Sequence, residues 1–241
     1  MGLFKNEDLY NKEIQQAAQE EGVPMSALKG FFALESQFDA KAYLFEPTHN
    51  DASYGIAQIL YKTAKGYGFA GKPEDLFDPY LSAKWGAKVI RALHDKYEND
   101  LDVIAAYNAG YPRKIQDTTS YIATLFKYPL TYKDNPPEGW EYANQCYVDR
   151  VGAYIAYYAA VEKGDKDLAS QIQALLAQKS NWPAEFGKYT QVRRLLRPIY
   201  FPPAGMDQEM KTEIERWGLI LVSLGIIYFA VKNIHTAATK K

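Results

Sequence analysis

Phe31-Phe32-Ala33-Leu34-Glu35-Ser36 sets a carboxylic acid into an apolar helical run. Leu28, Phe31, Phe32 and Glu35 fall at i, i+3, i+4 and i+7, so they share one stripe of a helix. A carboxyl facing apolar neighbours is desolvated, which raises its pKa and keeps its proton near neutral pH. The end of the run is also a helix C-terminus, where the macrodipole further disfavours a negative charge. Pro24 suits the first turn of this helix. The residue type, its face and its place on the helix all point to an acid that can protonate a leaving oxygen.

Working outward, residues 7–21 read as a polar amphipathic helix ending at Gly22. Residues 37–51 read as irregular. Ser53 to Ile59 reads either as a short strand or as an ordered turn entering a helix, and residues 62–71 as a helix end and loop. Asp78-Pro79 opens a helix through about Tyr97, with Ile90, Leu93 and Tyr97 as its apolar stripe. Asp100 can cap a further helix over 101–109, with Leu101, Ile104, Ala105 and Asn108 on one face. That face puts Asn108 at the end of an apolar stripe, pointing inward. Residues 111–140, rich in Tyr, Thr and Pro, read as an insertion broken by Pro136-Pro137 and Gly139. A long helix over about 141–163 carries Tyr147, Val151, Tyr154 and Tyr158 at i, i+4, i+7 and i+11, and 166–179 reads as another helix. The fold class is mostly α, with little β structure.

The composition is that of a folded chain, with 47% hydrophobic and 15% aromatic residues. A net charge of −1 supplies no basic field for nucleic acid, so no nucleic-acid partner is expected. Cys146 stands alone and gives neither an intramolecular disulfide nor a cysteine metal cluster. Glu46, His49 and Asp51 invite a metal reading, but their spacing suits no helix face. No metal and no cofactor are expected.

An ordered set of short pieces resembles the soluble lytic transglycosylase family, whose fold is lysozyme-like. The pieces are Glu35-Ser36, Ser53-Tyr54-Gly55-Ile56-Ala57-Gln58-Ile59, Thr63-Ala64, Asp75-Leu76-Phe77-Asp78-Pro79, Ala105-Ala106-Tyr107-Asn108-Ala109-Gly110, and Tyr147-Val148 with Val151. Three departures stand beside them. Leu60-Tyr61 replaces the family's usual Met-Pro, the insertion before Tyr147 is long, and Ala143 stands where a Glu is usual. The resemblance implies cleavage of the β-1,4 bond between N-acetylmuramic acid and N-acetylglucosamine in peptidoglycan glycan strands. Glu35 would act as acid and then base, leaving a 1,6-anhydromuramyl end. It implies Ser53, Gln58, Tyr107, Asn108 and Tyr147 as substrate-binding residues. Amides and phenols suit acetamido groups and sugar hydroxyls, and Tyr147 could steady Glu35 or the acetamido oxygen. Two alternatives remain open at this level. A hydrolytic muramidase would need a second carboxylate, for which Asp39, Glu46 and Asp51 are candidates. A non-enzymatic virion or membrane structural protein could use the same fold to bind glycan.

The domain organisation expected is a lysozyme-like domain over 1–163 with the 111–140 insertion, a helical and Pro-rich connection over 164–206, and a C-terminal helix over 207–241. Trp217 to Val231 is uncharged throughout. At about 1.5 Å per residue it spans about 22 Å, short of a roughly 30 Å hydrocarbon core. Arg216 and Lys232 can snorkel, and Trp217 and Tyr228 suit the two interfaces, so a single transmembrane helix is expected. Lys232, Lys240 and Lys241 flank its C-terminal side and place the Glu35 domain on the peptidoglycan side. A bacteriophage or virion-associated enzyme for local wall opening would reconcile that topology with the absence of an apolar run at Met1 to Tyr10.

Overall fold

The computed structural model describes residues 2–97, 99–114 and 141–177. All of these lie in one compact unit, Met1–Phe201. Seven α-helices, a short 3-10 helix at Pro73–Phe77 and a three-stranded sheet are the regular elements of the described residues. Residues 217–231, the connection beyond 177 and most of the insertion lie outside them. Among the described residues no helix is long and apolar enough to cross a membrane.

α1, Asn11–Glu21, buries Ile14, Ala17 and Ala18 and stops at Gly22, whose φ of 66° is the left-handed turn that glycine tolerates best. It starts later than the sequence suggests because Glu7 is used differently. Its buried carboxylate accepts from the Leu3 and Phe4 backbone N–H groups and from the Tyr158 hydroxyl, tying the N-terminal turns to the core. α2, Met25–Glu35, is buried continuously from Ser26 to Ala33 and is the central helix. It packs along α6, Gln145–Glu162, which in turn carries α7, Lys166–Ala177. Gly30 is where the two backbones of α2 and α6 meet. A Cβ there would lie 2.8 Å from the Ile155 backbone nitrogen.

α6 begins at Gln145 rather than 141 because the Gln145 side chain caps the turn before it, accepting from the Glu141 and Tyr142 N–H groups. α4, Pro79–Lys96, is capped by Asp78, which accepts from Leu81 N. α5, Asp100–Ala109, is capped one residue earlier than expected, by Asn99, which accepts from Leu101 N.

The expectation of an irregular stretch over 37–51 is corrected. β1, Tyr43–Glu46, pairs antiparallel with β2, Asp51–Tyr54, and β2 with β3, Ile59–Leu60. Tyr43, Leu44 and Phe45 are all exposed, so β1 lacks the in–out alternation that marks a half-buried strand. Its hairpin turns at Asn50, with φ 44°. Both readings of Ser53–Ile59 are realised in part. Strand β2 ends at Tyr54, a turn follows, and β3 leads directly into α3, Tyr61–Gly66.

Candidate active site

The last residue of α2 is Glu35, and three elements converge on it. From α6, the Tyr147 hydroxyl donates to Glu35 Oε1 at 2.5 Å. The crossing at Gly30 fixes this approach, since α6 can bring Tyr147 to the end of α2 only if the two helices lie close. Burial among apolar groups lifts the Glu35 carboxyl to about 7, against an ordinary value of 4.5. The Tyr147 hydrogen bond opposes that rise, and the negative charge of Glu46 adds to it. Among the described residues Oε2 has no hydrogen-bond partner, so one oxygen is held by a phenol and the other is available to carry a proton.

The turn between β2 and β3 forms the next layer. Gly55 has φ 66°, and a Cβ there would lie 2.1 Å from the Leu76 carbonyl oxygen. The position therefore takes only glycine. Ser36 donates to the Ile56 carbonyl at 2.8 Å, Ser82 Oγ accepts from Ala57 N at 3.1 Å, and the Tyr107 hydroxyl donates to the Ala57 carbonyl at 2.8 Å. The turn is thus tied to the end of α2, to α4 and to α5. Gln58 itself takes a left-handed φ of 46°. Its Nε2 donates to the Ala42 and Gly55 carbonyls, both at 3.0 Å. Both amide protons of Gln58 lock the turn, so any contact it makes with substrate must come through Oε1.

The Tyr107 ring packs against Phe31 at a tilt of 49°, with ring centroids 4.8 Å apart. Its phenol is pushed well up, first by burial and then by the Glu35 charge, so it remains a neutral hydroxyl. Asn108 does not point inward as its stripe suggests. Ile104 and Ala105 are buried, but Asn108 is exposed in the last turn before Gly110. Its Oδ1 accepts from Asn144 Nδ2 at 3.1 Å. Ser53 is buried and donates to Glu46 Oε1 at 2.8 Å. It braces the hairpin carboxylate and does not reach Glu35 directly.

The structure thus brings Glu35, Tyr147 and Tyr107 together, sets Gln58 behind them as a turn lock, and holds Ser53 against Glu46. Sequence reasoning gave no role to three residues of this arrangement. Ser36 and Ser82 fasten the turn, and Asn144 holds Asn108. Such hydroxyls and amides carry no periodic signal.

The metal reading of Glu46, His49 and Asp51 meets other bonds. Glu46 holds Ser53 and lies 3.9 Å from His49 Nε2, while Asp51 accepts from Ala52 N and Lys62 N at 2.8 Å each. Among the described residues no group of three His, Cys, Asp or Glu side chains is placed to hold a metal.

Residues 12–125 match the family described as transglycosylase SLT domain. Glu35, Ser53, Gln58, Tyr107 and Asn108 fall inside that stretch, and Tyr147 lies beyond it. No curated protein matches the chain. The chain therefore carries a transglycosylase SLT domain over residues 12–125, and the family of that domain consists of lysozyme-like lytic transglycosylases that act on peptidoglycan.

Proposed function

We propose that this enzyme cuts the β-1,4 bond between N-acetylmuramic acid and N-acetylglucosamine with Glu35 as its only acid and base. The observation that carries this reading is the half-buried Glu35, lifted to about 7 and held through Oε1 by Tyr147. Protonated Oε2 gives its proton to the glycosidic oxygen as the C1–O4 bond breaks. The muramyl acetamido oxygen shares the positive charge left at C1, the substrate-assisted exception to the two-carboxylate rule. Glu35, now a carboxylate, takes the proton of the muramyl 6-hydroxyl. O6 then bonds to C1, which closes the 1,6-anhydro ring and returns Glu35 to its acid form without water. Tyr107 stays neutral beside the acid, Tyr147 donates to it, and Asn108 offers an exposed amide to the glycan.

Mass spectrometry of peptidoglycan digested by the full chain tests this. Anhydromuramyl ends are expected, and reducing muramic acid ends would overturn it.

The hydrolytic alternative rests on one carboxylate. Asp39 is bonded to Lys41 N and Asp51 to Ala52 N and Lys62 N, whereas the charge of Glu46 is the one that acts on Glu35. If reducing ends appear, Glu46→Gln should remove them.

The membrane-anchored placement and the role in local wall opening, carried by a virion, rest on the apolar run Trp217–Val231 and its lysine flank. Fractionation of cells producing the full chain, with and without residues 217–231, tests the anchor. Loss of membrane association on deletion is expected.

A further inference from the structure

Asn144 lies in the turn before α6 and is buried. Its Nδ2 donates twice, to the Ala105 carbonyl at 3.0 Å and to Asn108 Oδ1 at 3.1 Å. A backbone carbonyl only accepts, so Ala105 decides which end of the Asn144 amide is nitrogen. Two protons meet two acceptors, and nothing is left over. Asn108 must therefore turn its oxygen toward Asn144, and its own NH2 group is the end left for a ligand. Asn108 is exposed, in the turn that follows Tyr107. Asn144 Oδ1, by contrast, is buried and has no hydrogen-bond partner among the described residues. A buried acceptor without a donor costs stability, which is set against the two bonds made by Nδ2, while the orientation of Asn108 is fixed by those bonds.

We propose that Asn144 is a positioning residue that fixes Asn108 as a donor-only contact, selecting the carbonyl oxygen of an N-acetyl group over a free sugar amine. The proposal rests on the reading that Asn108 faces the glycan. Sugar hydroxyls both donate and accept, so they would fit either orientation of the amide. An acetamido oxygen only accepts and matches the NH2 face. An ammonium on a de-N-acetylated sugar only donates, and would meet two N–H groups. The chain is thereby set against de-N-acetylated glycan. Sequence spacing could not expose this, because the two asparagines are 36 residues apart and the late Glu usual in the family is Ala143 here.

The test is equilibrium binding to the Glu35→Gln protein, which should bind without cutting. The ligands are the tetrasaccharide of N-acetylglucosamine and the tetrasaccharide of glucosamine. The acetylated ligand should bind about tenfold more tightly or better, the value of roughly one discriminating hydrogen bond. Adding Asn144→Ala frees the Asn108 amide to flip and should cut that preference to about threefold or less. Asn108→Asp, an exposed substitution, puts a carboxylate oxygen where the NH2 stood and should shift the preference toward the glucosamine ligand. A folded Asn144→Ala protein that keeps the full preference overturns the assignment. So does an Asn108→Asp protein with unchanged preference, which decides the matter if Asn144→Ala fails to fold. Binding of neither ligand by Glu35→Gln would overturn the glycan-facing reading together with this one. Unchanged ratios among variants that do bind would overturn only the role of Asn144.

Discussion

The two sides that bear on Glu35 are built in opposite ways. The helical side consists of α2, α5 and α6, with Phe31, Phe32, Ile104, Ala105 and Val151 fully enclosed and two helix backbones touching at Gly30. The hairpin side, β1 and β2, exposes Tyr43, Leu44 and Phe45 and is held largely by ring contacts and a polar bond. These are the edge-to-face rings of Tyr43, Tyr54 and Phe77 and the Ser53–Glu46 hydrogen bond. Both sides act on the same carboxyl, and their polar partners Tyr147 and Glu46 do so with opposite sign. Burial in the helical core raises Glu35 and the Tyr147 bond from α6 lowers it, while the Glu46 charge on the hairpin raises it. The core therefore sets that Glu35 is an acid near neutrality, and the two partners set where within that range it titrates.

The largest effect should come from removing the acid. Glu35→Gln is expected to lower peptidoglycan cleavage by about 10²–10⁴-fold, the usual worth of a general acid–base group. The same change should stabilise the fold. Between about 4.5 and about 7 the unfolded chain has lost the Glu35 proton while the folded chain keeps it. Stability then falls as pH rises through that window and is lowest above it. Gln removes this penalty, so the gain should be absent below pH 4 and reach up to about 3 kcal/mol above pH 8. Thermal unfolding across pH measures it. Equal melting temperatures for the two proteins at pH 8 would mean that Glu35 is not desolvated.

Next comes the helix crossing. Gly30→Val puts a branched side chain where even a Cβ meets the Ile155 backbone, and should cost about 2–4 kcal/mol by overpacking. It should also lower activity in the protein that still folds, because Tyr147 would be carried away from Glu35. Loss of stability with undiminished turnover would break the link between the crossing and the site.

How much of this contrast was legible in the chain follows the same line. The stripe Leu28, Phe31, Phe32 and Glu35 was readable because a helix repeats its burial every 3.6 residues, and all three apolar members are enclosed. The ordered motifs located Tyr107 and Tyr147 and offered Tyr147 as a support for Glu35, which its hydrogen bond now provides, but they did not locate the Tyr107 bond to Ala57. The hairpin was not readable. Tyr43-Leu44-Phe45 has no alternation, and its turn depends on the left-handed φ of Asn50, which composition does not encode. Asn108 was misdirected for a related reason. Its stripe continues past Ala105 only in sequence, because α5 ends at Gly110 and its last turn stands clear of the buried face. Gln58 and Asn144 show the remaining gap, since an amide's role depends on which carbonyl the fold brings to it.

The finest test sets the two sides against each other. Tyr147→Phe removes a hydrogen bond that favours the Glu35 carboxylate, so Glu35 should rise further. The fall of kcat/KM with increasing pH should then move upward from about 7. Glu46→Gln removes a neighbouring negative charge, so the same limb should move downward by a fraction of a unit. Glu46 is partly exposed, and salt should shrink its effect, whereas the effect of Tyr147 should survive high ionic strength. Shifts of the same sign in both variants would mean that the hairpin does not act on the acid through charge. A shift for Glu46→Gln that persists in high salt would place Glu46 in direct contact with the reacting groups, and would move it from tuning the acid to the second-carboxylate role of a hydrolase.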